Sequence, residues 1–117
     1  MTTLNLSKTE FQTQGLLEVV NNEWKVLSLE NGRSVYTQLE YEVGRKYIKV
    51  WSYLKDGNFG DARIKGRSCF MFIDKETGAC YKPASHKAPA KGIRFWIDQL
   101  VMNPEMVDPY GSFLYVR

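Results

Sequence analysis

Residues 35–54 carry the clearest pattern of apolar and polar positions in the chain. Val35, Thr37, Leu39, Tyr41 and Val43 alternate with Tyr36, Gln38, Glu40 and Glu42, the two-residue period of a strand with unlike faces. Ile48, Val50 and Leu54 then form an apolar face, and Tyr47, Lys49, Trp51 and Tyr53 an aromatic and basic one. A tight even-length turn near Val43 and Gly44 joins the two strands as a hairpin. That register sets Leu39 beside Ile48, Glu42 beside Arg45 and Tyr36 beside Trp51, so core meets core and opposite charges meet on the outer face. Residues 67–74 and 79–83 predict a second hairpin around the turn Lys75-Glu76-Thr77-Gly78, with Pro83 at a strand end or sheet edge.

Two segments carry the longer period of a helix. Ser7 and Glu10 have capping-box spacing, and Leu6 and Phe11 suit a hydrophobic staple. Leu16, Leu17, Val20, Trp24 and Leu27 follow at helical spacing. Two readings of residues 23–29 stay open. The helix continues through them, or it stops near Asn21-Asn22 and a strand follows, with Asn31-Gly32 as a hairpin turn. Near the other end, Ile93, Trp96, Ile97, Leu100 and Val101 predict a helix over residues 92–102, started by Gly92 and ended by Asn103-Pro104. Residues 55–66 hold three glycines and mixed charges and read as a mobile loop. Residues 112–116 read as a short apolar strand or a docked tail. The pattern as a whole predicts an α+β fold: a four- or five-stranded antiparallel sheet flanked by an N-terminal helix and the residue 92–102 helix.

Length changes this picture little, since 117 residues fit one domain, residues 1–117, with its own core. No apolar run approaches the ~20 residues of a membrane helix, and the first residues lack the basic and apolar regions of a signal peptide. Cys69 and Cys80 are expected on one sheet face, roughly 13 Å apart and too far for a disulfide. They read as reduced thiols of a cytoplasmic protein.

Charge is unevenly placed. Residues 1–44 hold three bases (Lys8, Lys25, Arg33) against six acids, residues 45–94 hold twelve bases against four acids, and residues 95–117 hold Arg117 against three acids. A basic centre between acidic ends points to an anionic partner, or to charge complementarity within or between subunits.

A resemblance joins these residues. Gly44-Arg45-Lys46-Tyr47, then Phe72-Ile73-Asp74-Lys75-Glu76-Thr77-Gly78, then Lys82-Pro83-Ala84-Ser85-His86-Lys87-Ala88-Pro89-Ala90-Lys91-Gly92 resemble a group of small uncharacterised bacteriophage proteins. These share GRKY, F-[IV]-D-x-x-T-G and K-x-A-S-x-K-x-P-A-K-G segments in that order. The resemblance spans residues 41–94 and implies a viral origin and a sheet-centred fold, without a reaction. An aromatic residue commonly stands in that group where His86 stands here.

Candidate chemistry is sparse. The chain has no Walker A, GxSxG, HExxH or dinucleotide-binding glycine pattern. Its one histidine leaves no His pair for a metal, so neither an enzyme nor a cofactor is expected. Glu40 and Glu42 read as a solvated strand face pairing with Arg45 and Lys49. The sharper feature is the acid-free segment holding Lys82, Ser85, His86, Lys87, Lys91 and Arg94. Pro83 and Pro89 keep its backbone extended, and small neighbours let a phosphate backbone approach. Arg63, Lys65 and Arg67 precede the next strand and extend the patch. Tyr47, Trp51 and Tyr53 would stack single-stranded bases, unless a helix buries them, which Trp51 favours.

The expectation is a phage-type accessory protein that contacts nucleic acid through the basic segment. The competing reading is a non-enzymatic module that binds a host or viral protein, with residues 110–116 adding a strand to a partner's edge, or a virion-associated structural protein. In a homodimer the acidic N-terminal segment would meet the basic middle.

Overall fold

The structure is a computed structural model that describes residues 7–64 and 66–115. A 23-residue helix, α1 (Lys8–Glu30), opens it. Ser7 caps it, its Oγ accepting the Glu10 backbone N–H at 3.1 Å; the Leu6 half of the expected staple lies outside the described residues. The helix buries Thr9, Thr13, Leu16, Leu17, Val20 and Trp24, and the Thr13 hydroxyl is satisfied by the Thr9 carbonyl. It runs past Asn21-Asn22, which settles residues 23–29 as helix. Asn31-Gly32 is its C-terminal cap, with Asn31 N–H on the Leu27 carbonyl and Gly32 at φ 72°.

Six strands follow: β1 (Val35–Val43), β2 (Tyr47–Asp56), β3 (Ala62–Arg63), β4 (Ser68–Asp74), β5 (Ala79–Tyr81) and β6 (Phe95–Trp96). They form one sheet in the order β1-β2-β4-β5-β6, with the short β3 also on β2, and each pairing is antiparallel. The fold is thus α+β as expected, with six strands in place of four or five. Leu39, Ile48, Val50, Met71, Ile73 and Cys80 on one sheet face meet α1 in the core. α1 is also tied to β1 through polar groups. The Asn21 amide donates to the Leu39 carbonyl (2.9 Å) and accepts from the Leu39 N–H (2.8 Å).

The first hairpin is present with a different register. Val43 pairs with Ile48, Leu39 with Ser52, Glu42 with Lys49 and Tyr36 with Lys55. The expected pairs are therefore off by four residues. A shift of four preserves parity, so each side chain keeps its expected face and changes its neighbour. The turn is wider than expected because β1 runs on to Val43 and the Gly44 N–H bonds the Tyr47 carbonyl.

Between β2 and β4 the register slips at Val50/Trp51. Val50 pairs with Met71 and Trp51 with Cys69, which leaves Phe70 as the extra residue of a β-bulge. Phe70 and Met71 both enter the core, and Cys69 joins Trp51 on the outer face. The two cysteines therefore lie on opposite faces, both as free thiols. Burial pushes the Cys80 thiol up to about 12.

The second hairpin, β4–β5, turns as expected. The Asp74 carboxylate accepts the Glu76 and Thr77 N–H groups. Burial opposes its charge, and these hydrogen bonds outweigh burial and hold the carboxyl below its usual range. The last helix is shorter than its periodicity suggests. Arg94 N–H bonds the Cys80 carbonyl, Phe95 and Trp96 pair with β5 as β6, and α2 covers only Ile97–Met102. Edge pairing claims the first third of the apolar stripe, leaving Ile93 and Trp96 exposed while Ile97 and Leu100 enter the core. The described residues after it, through Tyr115, dock and add no strand. Phe113 and Leu114 are buried in a 3-10 turn, with the Phe113 ring 5.9 Å from Phe70 and 5.7 Å from Phe95. Asp108 fixes this turn by accepting from the Tyr110, Ser112 and Phe113 N–H groups and the Ser112 hydroxyl.

Gly78 ends the β4–β5 turn at φ 80°, and a Cβ there would lie 2.7 Å from Ile97 Cγ2. Gly78→Ala should cost roughly 2–4 kcal/mol, from backbone strain plus displacement of α2. Gly32→Ala, where the added Cβ meets nothing within 4 Å, should cost only the backbone part, about 1–2 kcal/mol. Urea denaturation midpoints of the two variants against wild type check this.

Candidate nucleic-acid interface

Residues 82–91 leave the sheet after β5 as an ordered excursion. Pro83 and Pro89 form an antiparallel bridge. Ala84 and Ser85 N–H groups bond the Ala88 carbonyl, and Ala90 N–H bonds the Lys82 carbonyl at 2.9 Å. The Ser85 hydroxyl accepts the Lys87 N–H. The Lys49 ammonium reaches from β2 to the His86 carbonyl and so fastens the tip of the excursion to the outer face of the sheet. Ser85, His86, Lys87 and Lys91 are exposed. Lys82 is half-buried, its ammonium 4.7 Å from the centre of the Tyr115 ring.

The other candidate cations are placed differently. Arg94 turns inward, and its Nε and Nη1 are buried without a hydrogen-bond partner among the described residues. Lys65 lies outside the described residues. Arg63 and Arg67 belong to the outer face rather than to the loop. The Arg63 guanidinium lies 3.9 Å from the Tyr53 ring centre and bonds Glu40 at 2.8 Å. Arg67 lies 4.0 Å from the Trp51 ring centre and bonds both Glu40 (3.0 Å) and Glu42 (3.3 Å). The partners of Glu40 and Glu42 are thus Arg63 and Arg67, not the expected Arg45 and Lys49. Glu42 also accepts the Trp51 indole N–H at 2.6 Å.

This arrangement resolves how the aromatic face is covered. α1 takes the opposite face, so among the described residues no helix lies over Tyr53 or Trp51. They are nevertheless only 8% and 7% exposed, with the Arg63 and Arg67 guanidinium groups over their rings. Lys49 adds its ammonium 5.1 Å from the Trp51 ring centre and 5.4 Å from that of Phe72. Tyr47 stands edge-on to Phe72 and Tyr81. Contacts of this kind contribute about 0.5–2 kcal/mol each as water is excluded. The face is a closed layer in which Arg63 and Arg67 are committed to Glu40 and Glu42, while Lys87 and Lys91 of the loop stand exposed. The parity of β1 and β2 places Glu40, Glu42, Trp51 and Tyr53 together from sequence alone; the partner arginines, more than twenty residues on, left no local signal.

At the far end of the same face the Tyr36 hydroxyl donates to Asp61 at 2.6 Å, and Lys25 bridges Asp61 at 3.4 Å. Asp61 holds a positive φ of 62°, and its N–H bonds the Asp56 carbonyl across the turn after β2. The Tyr36 bond, ahead of Lys25, holds that carboxyl below its usual range. Burial, then the bond to Asp61, pushes the Tyr36 phenol up from 10.0 to about 12.

An open groove of about 990 Å³ lies between the end of α1 and residues 107–110, lined in part by Trp24, Leu27, Leu54, Val107 and Tyr110. Its titratable groups are Glu23, Arg33, Glu105, Asp108 and two tyrosines, and Asp108 is already committed to the C-terminal turn. Among the described residues no group of three or more His, Cys, Asp or Glu side chains is placed to hold a metal ion. Among them, too, no helix is long and apolar enough to cross a membrane.

Because the folded Tyr36 value lies above the ordinary one, its contribution to stability is whole below pH 10 and is lost as pH rises through about 12. Phenolate absorbance titrations should therefore show one tyrosine ionising near 12 that is absent in Tyr36→Phe and shifted down in Asp61→Asn.

No curated protein and no solved structure matches the chain. The profile of a family of unknown function, DUF7717, matches residues 3–116. With nearly its whole length inside that match, the chain belongs to the family of unknown function DUF7717.

Proposed function

We propose that this protein is a phage-type accessory protein that binds nucleic acid through phosphate contacts from residues 82–91. The observation that carries the reading is the contrast between two sets of cations. Arg63 and Arg67 are paired with Glu40 and Glu42, whereas Lys87 and Lys91 stand exposed on a loop held by its own backbone bonds. A preformed loop loses little conformational entropy on binding. Its exposed lysines can displace counterions from a phosphate chain, and Ser85 and His86 stand beside them as hydrogen-bonding groups. The closed aromatic layer leaves few ring faces open for bases, so binding is expected to track backbone charge more than base identity. The ordered motifs of residues 41–94 support a phage origin.

A second reading, a module that binds a host or viral protein, draws on the groove beside Leu27 and Tyr110. Such binding would survive moderate salt and depend on those two side chains.

Fluorescence anisotropy with labelled single- and double-stranded DNA and RNA separates the two. Affinity should fall roughly fortyfold between about 50 and 200 mM salt, the dependence expected for about three phosphate contacts. The Lys82/Lys87/Lys91→Ala variant should lose binding, and each single change should lower the salt slope by about one. Absence of binding at the lowest salt would overturn the proposal.

A further inference from the structure

The face of α1 that points away from the sheet is unusual for a solvent-facing helix. Phe11, Gly15, Val19, Asn22, Val26 and Leu29 fall on one narrow stripe at steps of four, four, three, four and three residues. Phe11 is 69% exposed, Val19 52%, Val26 42% and Leu29 54%. Single exposed apolar side chains are ordinary, but an aligned series over about 27 Å of helix is the seam that a second helix fills. Above Gly15 the space is open, with nothing within 4 Å of where a Cβ would stand.

We infer that α1 packs antiparallel against α1 of a second copy of this chain. Alternating steps of three and four define the core layers, and in an antiparallel pair those layers set Val19 against Asn22 of the second copy and Gly15 against its Val26. Gly15, lacking a side chain, leaves room for that valine. The flanking positions then bring Glu18 of each copy to Lys25 of the other. Two-fold symmetry makes this two opposite-charge pairs, whereas a parallel pairing sets Glu18 against Glu23. Lys25 now bridges Asp61 at 3.4 Å with a side chain 42% exposed, and it can serve Glu18 from the same rim. The assembly is a four-layer sandwich, sheet–helix–helix–sheet, with both basic loops on the outside. It does not depend on the nucleic-acid reading, and it differs from a contact between acidic and basic segments because the seam is apolar.

A single helix pair buries an area at the low end for specific interfaces, so the dimer should form reversibly in the micromolar range. Sedimentation equilibrium of the full chain, from low micromolar to millimolar protein, should show a monomer–dimer equilibrium. Val19→Glu/Val26→Glu should remain monomeric while keeping the wild-type circular dichroism spectrum and Tm, since both side chains are exposed. Glu18→Lys and Lys25→Glu should each weaken the dimer about tenfold, and the double reversal should restore it. A wild-type monomer at every concentration would overturn the inference. So would a dimer that the Val19/Val26 variant leaves intact. Charge reversals that fail to compensate would overturn the antiparallel pairing.

Discussion

α1, with the short α2 beside it, lies over one face of a six-stranded sheet, and the organisation of the other face answers to that constraint. Tyr36, Trp51, Tyr53, Tyr47, Phe72 and Tyr81 occupy the outer side, and among the described residues no second layer of secondary structure reaches them. Their apolar area still has to leave water. The chain meets this need with side chains. Arginines from the segment before β4 lie on the rings, carboxylates from β1 hold the arginines, and a lysine from β2 fastens the loop after β5. A cation on a ring face keeps part of its hydration while it shields carbon, so the layer is thin and remains charged on its outer side.

The same thinness makes the outer layer depend on register. Trp51 meets Glu42 through the β1–β2 register, and the bulge at Phe70 then re-phases β4 against β2 where Arg67 enters. Without the extra residue, Cys69 would face the core and Phe70 the outside. The bulge therefore serves both layers at once. It adds Phe70 to the core, where Phe95 and Phe113 close the end of the sheet, and it leaves a small side chain beside the indole. Asp108 works at the other margin of that cluster, since its carboxylate shapes the turn that presents Phe113 and Leu114. Burial opposes the Asp108 charge, and hydrogen bonds from Ser112, Phe113 and Tyr110 outweigh it to hold the carboxyl below its usual range.

Much of this was legible in the residues, and the failures share a cause. Alternation through residues 35–54 gave both faces of the first hairpin correctly, because face depends on parity alone. The partner of each residue depends on turn width, and the backbone bond from Gly44 to Tyr47 leaves no mark in an apolar pattern. Ile93, Trp96, Ile97, Leu100 and Val101 fit a helix, yet β5 needed an edge partner, and non-local pairing overrode local period for Phe95 and Trp96. The loop lysines were visible as a cluster. That Arg63 and Arg67 would leave that cluster for two glutamates was not, because the contact spans more than twenty residues of chain. The inward turn of Arg94 was equally silent in sequence.

The amide of Asn21 has a wider consequence. β1 is an outermost strand, and Leu39 lies at its middle with N–H and carbonyl pointing away from β2. Asn21 supplies a donor and an acceptor to that one residue, as a neighbouring strand would. The border of the sheet along β1 is thereby interrupted at its centre by a side chain from a helix that cannot itself extend the ladder. An incoming extended peptide finds only short stretches on either side, each too brief to nucleate stable pairing. Along this edge the chain is therefore poorly suited to recruit copies of itself by strand addition, a form of protection that rests on a single amide.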